Sequence, residues 1–138
     1  MSAIDLAVAR LADDEGFRAT AYKDTAGHTT IGFGFNVDAG ISQYAALELL
    51  TAQTVECAQA LSQYPWAQGL DDVRLSVLIE LAFNLGLTGL LHFPKTLAAI
   101  GTKNWTTAAA ELMNSAAAQE LPRRYSALAT MLQTGVSA

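Results

Sequence analysis

Residues 14–34 decide which kind of fold this sequence adopts, and they read DEGFRATAYKDTAGHTTIGFG. Threonine, tyrosine, isoleucine and phenylalanine recur between positions 19 and 36, punctuated by Gly27, Gly32 and Gly34. β-Branched and aromatic residues set between glycines favour short strands joined by tight turns. The stretch therefore predicts a small hairpin-like sheet, and it is the only convincing β segment in the sequence.

The residues before this segment have helical periodicity. Charged residues separate apolar positions spaced as on one helix face, namely Ile4, Ala7, Val8 and Leu11. Gly16 follows and is a residue that commonly ends helices. The pattern predicts a first helix over residues 2–14, with Glu15 beside its end.

Two longer helices are expected after the sheet. Ser42 precedes an Ala- and Leu-rich run to Leu61, and Pro65 ends it. Asp71 or Asp72 can cap a following helix, and Gly86 lies just beyond its end. Its broad apolar face comprises Val73, Val77, Leu78, Leu81 and Ala82. This face predicts a buried central helix.

Three shorter helices complete the chain. One opens at Pro94 and closes at Gly101, one is capped by Asn104, and one runs from Pro122 to Gly135. The order of elements predicts an α+β fold that is mostly α, with a small N-terminal antiparallel sheet, a larger helical lobe and a cleft between two lobes. We expect one domain over 1–138, with a β lobe at about 17–40 and a helical lobe at about 41–138 that includes the first helix.

Composition limits the classes of function. The 138 residues are 51% hydrophobic and carry a net charge of −5 with a pI near 4.8. An acidic chain has no basic field to collect phosphates, so nucleic acid is not an expected partner. The longest apolar stretch, residues 77–93, is short and interrupted by polar residues, so no stable membrane insertion is expected. We expect a monomer.

Two carboxylates near the sheet are candidates for glycosidic chemistry. Hydrolysis of a glycosidic bond needs a proton donor on the leaving oxygen and a second group for the anomeric centre. Glu15 follows the first helix, and Asp24 lies inside the glycine-punctuated segment. Acids in such positions are more often solvated surface groups, so their spacing alone does not decide between the two interpretations.

Three consecutive motifs resemble the phage-type lysozymes of glycoside hydrolase family 24. That family's pattern is Glu-Gly, then Tyr-x-Asp, then Gly-x-x-Thr-Ile-Gly-x-Gly. The matching segments are Glu15-Gly16, Tyr22-Lys23-Asp24, and the run from Gly27 to Gly34. Every fixed position matches at the family's spacing.

The resemblance implies catalytic roles for three residues. Glu15 would be the general acid, while Asp24 and Thr30 would position and activate the attacking water. Such a mechanism inverts the anomeric centre and needs carboxyl groups roughly 6.5 to 9.5 Å apart. Without the motif, Thr30 would be an ordinary strand threonine.

The resemblance extends through the C-terminal half and implies substrate contacts there. Phe83 would supply an apolar wall, Asn84 would lie near the hinge of the central helix, and Thr96 would offer a hydroxyl. Asn36 falls where the family's sheet lobe contacts sugar, and Arg124 is a candidate partner for Glu15. Ordinary packing or surface solvation is the alternative for the helical residues. The segment 115–119 is Ala-rich where relatives often carry an aromatic and a basic residue.

The function implied is a lysozyme (muramidase), a bacteriolytic hydrolase. It would cut the β-1,4 bond between N-acetylmuramic acid and N-acetylglucosamine in peptidoglycan glycan strands, as a phage endolysin for host lysis. The alternatives are a lytic transglycosylase or an inactive glycan-binding or structural module. His28 and His92 have no companions at ligand spacing, so no metal or other cofactor is expected. The start resembles no secretory signal, which predicts synthesis in the host cytoplasm and action on the wall after membrane permeabilisation.

Overall fold

A computed structural model describes residues 1–138 of the chain. It contains seven α-helices, one short 3-10 helix and one three-stranded antiparallel sheet, and 64% of the residues are helical. The predicted α+β class, mostly α with a small N-terminal sheet, is confirmed. The residues form two compact units, 1–48 and 49–138. The expected single domain, its lobe boundaries and its cleft stay predictions.

The first unit begins with helix α1, Ala3–Glu15. Ser2 caps it through a reciprocal capping box with Asp5, which satisfies two of the free amides at the helix start. Gly16 ends it with a φ of 70°, and its N–H donates to the Ala12 carbonyl at 3.1 Å. The end of α1 therefore fixes Glu15 at the entrance to the sheet.

The sheet has the order β1-β2-β3, with strands Arg18–Lys23, Thr29–Gly32 and Phe35–Asn36. Both neighbouring pairs are antiparallel. Thr30 on the central strand pairs with Tyr22 on one side and with Asn36 on the other. The predicted hairpin-like segment is thus a meander whose middle strand carries Thr30.

Helix α2, Gln43–Leu61, starts where the sequence predicts, because the Ser42 hydroxyl accepts the Ala45 N–H at 3.1 Å. A 3-10 turn follows at Pro65–Ala67. Asp71 then caps helix α3, Asp72–Leu90, by accepting the Arg74 N–H at 2.9 Å. Because these caps depend on nearby side chains, the sequence predicts both helix starts.

Gly86 is where α3 differs from expectation. The sequence places this glycine just past the helix end, and its φ of 73° and ψ of 160° are indeed non-helical. The chain turns helical again immediately afterwards and continues to Leu90, whose side chain is buried in the core. Burial of the Leu90 side chain stabilises a further helical turn, which the local sequence does not predict.

Four helices complete the second unit: α4 (Pro94–Gly101), α5 (Trp105–Met113), α6 (Ala116–Glu120) and α7 (Pro122–Thr134). The three expected short helices are present. The additional helix, α6, is capped by Ser115 and lies in the Ala-rich segment, where the sequence analysis assigned no helix. Ala118 of this helix is buried, so small side chains here allow close packing.

The core lies in the second unit. Val77, Leu78, Leu81 and Ala82 of α3 belong to it, as the apolar face predicts, whereas Val73 of the same face is half-buried near the helix start and lies outside the core. Arg74 ties α3 to the end of α7, because its guanidinium donates to the carbonyls of Leu132 at 2.7 Å and Gln133 at 2.9 Å. Those terminal carbonyls have no partner within their own helix.

By length and composition alone, α3 would also be able to cross a bilayer. The core helix of a globular protein passes the same test, and five α3 residues are buried against protein. The expectation of no membrane insertion stays a prediction.

Candidate active site

The backbone of His28 joins two of the expected catalytic residues. Its carbonyl accepts the Asp24 N–H at 2.9 Å and the Thr30 hydroxyl at 3.3 Å. Its own N–H donates to Oδ1 of Asp24 at 2.8 Å. The loop between β1 and β2 therefore holds Asp24 and Thr30 in fixed relation to the backbone of His28.

The two carboxylate oxygens of Asp24 have different surroundings. Oδ1 accepts two backbone N–H groups, from Ala26 at 3.0 Å and from His28 at 2.8 Å. Oδ2 has no backbone partner and faces Nδ1 of His28 at 3.6 Å. The side chain thus closes its own turn with one oxygen and leaves the other available.

These contacts favour the ionised form of Asp24. The backbone hydrogen bond from His28 lowers the pKa of this carboxyl below its ordinary value, and the charge of a protonated His28 and the Ala26 amide act in the same direction. At neutral pH Asp24 is an acceptor of protons and hydrogen bonds. It can orient or deprotonate a water but cannot donate a proton to a leaving group.

Thr30 is the buried residue of the sheet region, with 4% of its surface exposed. Its position on the central strand and its hydrogen bond to the His28 carbonyl limit its rotamers. The hydroxyl oxygen keeps lone pairs with which it can accept a hydrogen bond from a water. This environment distinguishes Thr30 from its half-buried neighbour Thr29.

Glu15 lies at the other end of the central strand. A Cβ placed on Gly34 would lie 2.5 Å from Oε2 of Glu15, so the carboxylate rests against the turn that joins β2 to β3. That turn requires a positive φ of 76° at Gly34. The rings of Phe17 and Phe33 pack beside the same turn, with centroids 5.4 Å apart. Because Gly34 has no Cβ, the Glu15 carboxylate can lie against the turn between β2 and β3.

Asn36 is brought next to this group by strand pairing. It lies opposite Thr30 on β3, and its Oδ1 accepts the Ala39 N–H at 3.2 Å. The N–H groups of its side-chain amide have no protein partner and can donate to a sugar oxygen. The first unit thus contains Glu15, Asp24, Thr30 and Asn36 around one small sheet.

The candidates in the second unit lie at separate places. Phe83 is 45% exposed and lines a cavity of about 400 Å³ with Gln53 and Cys57. Thr96 is 2% exposed and lines a different cavity, of about 480 Å³, with Lys95 and Glu111. Phe83 and Thr96 therefore do not share a pocket within this unit.

Asn84 and Arg124 are exposed. Asn84 lies on α3 two residues before the non-helical Gly86, and its expected place near a hinge stays a prediction. Arg124 lies in the first turn of α7. Its pairing with Glu15 stays a prediction. The structure contains no cluster of three or more side chains suited to hold a metal ion.

Sequence reasoning missed the part played by His28, which was considered only as a possible metal ligand. Its contribution is mainly through its backbone, and backbone contacts leave no signature in residue type. The spacing Asp24-x-x-x-His28 within a Gly-containing turn was the available signal, because Asp side chains commonly accept N–H groups a few residues further along such turns.

Comparison with known proteins shows the family to which this chain belongs. The helices and the small antiparallel sheet are consistent with a lysozyme-like α+β fold. Residues 12–128 match the phage lysozyme family, and the chain belongs to that family. This membership assigns it lysozyme-like function, that of a glycosidase acting on peptidoglycan.

Two proteins of Dictyostelium discoideum are similar along most of their length. "Probable T4-type lysozyme 1" is 25% identical over an alignment 153 positions long, which covers 88% of this chain and 90% of that protein. "Probable T4-type lysozyme 2" is 25% identical over an alignment 155 positions long, with the same coverage. The similarity therefore spans both units.

Proposed function

We propose that this chain is a muramidase that hydrolyses the β-1,4 bond between N-acetylmuramic acid and N-acetylglucosamine with inversion. Glu15 gives its proton to the glycosidic oxygen, and Asp24 accepts a proton from the attacking water. Thr30 holds that water by a hydrogen bond. The observation that carries the proposal is that the His28 backbone binds both residues: its N–H contacts a carboxylate that is kept ionised, and its carbonyl accepts the Thr30 hydroxyl.

The position of Glu15 supports inversion over retention. Glu15 rests against the turn after β2, whereas Asp24 contacts the residue before β2. A four-residue strand spans three rises, or roughly 10 Å. A retaining enzyme holds its carboxyl groups at about 5 Å, while an inverting one leaves room for a water. The placement at opposite ends of β2 favours a water-mediated step.

We propose that other residues contact the sugar or the attached peptide. Asn36 would donate its free amide N–H groups, and Thr96 would offer a hydroxyl that makes no hydrogen bond to the protein. Phe83 would supply apolar surface, while Asn84 and Arg124 would act as polar contacts. Asn36 has the strongest support, because strand pairing sets it beside Thr30.

The biological role proposed is that of a phage endolysin. The chain would be made in the host cytoplasm, act as a monomer, and reach peptidoglycan after the membrane is permeabilised. Its support is membership in the phage lysozyme family.

The decisive test replaces the acid. Glu15→Gln keeps the size and polarity of the side chain but removes the proton donor, so wall hydrolysis should fall by at least about 100-fold. Turbidity loss of purified cell walls measures this. Asp13→Asn is the matched control, since Asp13 is an exposed acid on the same helix. Equal loss in both variants, or none in Glu15→Gln, contradicts the proposed acid.

Product analysis tests the reaction itself. Hydrolysis leaves free muramic reducing ends, and inversion delivers them first as the α-anomer, which proton NMR detects before mutarotation. Anhydro-muramic ends would instead show a lytic transglycosylase. Absence of any new end with the purified wild-type protein would favour a glycan-binding module.

A further inference from the structure

The imidazole of His28 stands beside the one Asp24 oxygen that no backbone group occupies. Nδ1 lies 3.6 Å from Oδ2, a distance for an ion pair when the ring is protonated. The two side chains are 53% and 37% exposed, so protons exchange freely with solvent. Because Oδ1 already accepts two amides, a protonated ring and a substrate water would compete for the same oxygen.

Other charged groups near the hairpin are engaged elsewhere. The Lys23 ammonium donates to the Thr29 hydroxyl at 2.6 Å, and Asp38 accepts the Thr29 N–H at 2.8 Å. The Arg18 guanidinium lies over the Tyr22 ring. Glu15 rests against the turn at the far end of β2. His28 is therefore the titratable group that faces the free oxygen of Asp24, and histidine is the side-chain type suited to act as a pH switch.

We propose that the His28 side chain is a pH-dependent positioning residue for Asp24, an inference that rests on the muramidase function proposed above. The neutral ring leaves Oδ2 to orient and deprotonate the attacking water. The protonated ring pairs with Oδ2, draws the carboxylate away from the water and weakens it as a base. Proton balance is unaffected, since the proton on His28 comes from and returns to solvent.

The expected effect on catalysis is modest because the pair is half exposed. Solvent screens an exposed ion pair, so the change in rate should be no more than about five-fold. At acidic pH, kcat/KM of the wild type should therefore be lower than that of a variant without the imidazole. At alkaline pH the two values should be similar. The kcat/KM of His28→Gln divided by that of the wild type should increase about two- to five-fold as the pH is lowered from 8 to 5.

The experiment measures reducing-end release from purified peptidoglycan by the full chain across that pH range. His28→Gln keeps the backbone contacts to Asp24 and Thr30 and cannot become charged. Thermal unfolding at pH 5 and pH 8 confirms that both proteins are folded. A ratio that does not change with pH overturns the proposal, because a purely structural role of the ring would alter activity equally at all pH values.

A second measurement does not depend on activity. Carbon-13 NMR follows protonation of the Asp24 carboxyl, whose pKa the charged ring lowers. In His28→Gln this carboxyl should titrate at a higher pH than in the wild type. An unchanged titration overturns the pairing even if hydrolysis is intact. An inactive wild type with a shifted titration would refute the muramidase function but retain the pairing.

Discussion

Different forces stabilise the sheet region and the helical region of this molecule. All eighteen buried hydrophobic residues lie between Leu61 and Leu132, in the second unit. In residues 1–48 the one buried residue is Thr30, and hydrogen bonds with backbone groups hold Asp24 and Thr30. Apolar burial stabilises the helices, whereas directional hydrogen bonds shape the proposed site. Changes in the two regions should therefore alter different measurements.

The largest effect on stability is expected from the helical core. Leu78 is fully buried on α3, and Leu78→Ala should lower the free energy of unfolding by about 2–5 kcal/mol through lost burial and a residual cavity. Urea unfolding measures it. Under conditions where the variant is folded, kcat should stay near the wild-type value. A folded variant with strongly reduced kcat would break the division between the two regions.

Gly34→Ala should have the opposite profile. The new methyl group would lie 2.5 Å from Oε2 of Glu15 and displace the carboxylate, and the positive φ adds backbone strain. A displacement of about 1 Å can lower the rate about 100-fold, while the strain costs roughly 1–2 kcal/mol of stability. Wall hydrolysis and urea unfolding check this together. Gly40→Ala is the control, since Gly40 also has a positive φ, of 83°, and a Cβ there meets nothing within 4 Å. Equal activity losses would show strain alone.

The smallest effect concerns a polar atom inside the apolar core. The hydroxyl of Tyr125 is buried and makes no hydrogen bond, and burial raises its pKa. An unpartnered buried hydroxyl is costly, so Tyr125→Phe should leave stability unchanged or raise it by up to about 1 kcal/mol. Urea unfolding at pH 7 tests this. A loss beyond about 1 kcal/mol would mean that the hydroxyl has a partner in solution.

Secondary structure was predictable at most places where a local signal sets it, and helix α6 is the exception, because its Ser115 cap is also a local signal. Ser42, Asp71 and Asn104 accept N–H groups of their own first helical turns, and such contacts depend only on nearby residues. Helix α6 and the turn after Gly86 were missed. Both are stabilised by burial of a residue, Ala118 or Leu90, against distant parts of the chain. Packing of that kind is not encoded in local periodicity.

The candidate site divides in the same way. The motif identified Glu15, Asp24 and Thr30 because residue type and spacing carry the required chemistry. It did not reveal that the backbone of His28 links Asp24 to Thr30, since backbone hydrogen bonds are independent of the side chain at His28. It also did not reveal which carboxylate oxygen is free, because that depends on how the turn closes.

The sequence by itself determined the α+β class, the family and the identity of the chemical groups. Composition, helix caps, glycine spacing and motif are all properties of consecutive residues. Only the tertiary structure decided how Glu15 meets Gly34, that Phe83 and Thr96 line separate cavities, and that the imidazole of His28 faces Oδ2 of Asp24. These features arise where strands pair and helices pack. The distances between their atoms depend on contacts between separate segments, so no single segment of the chain determines them.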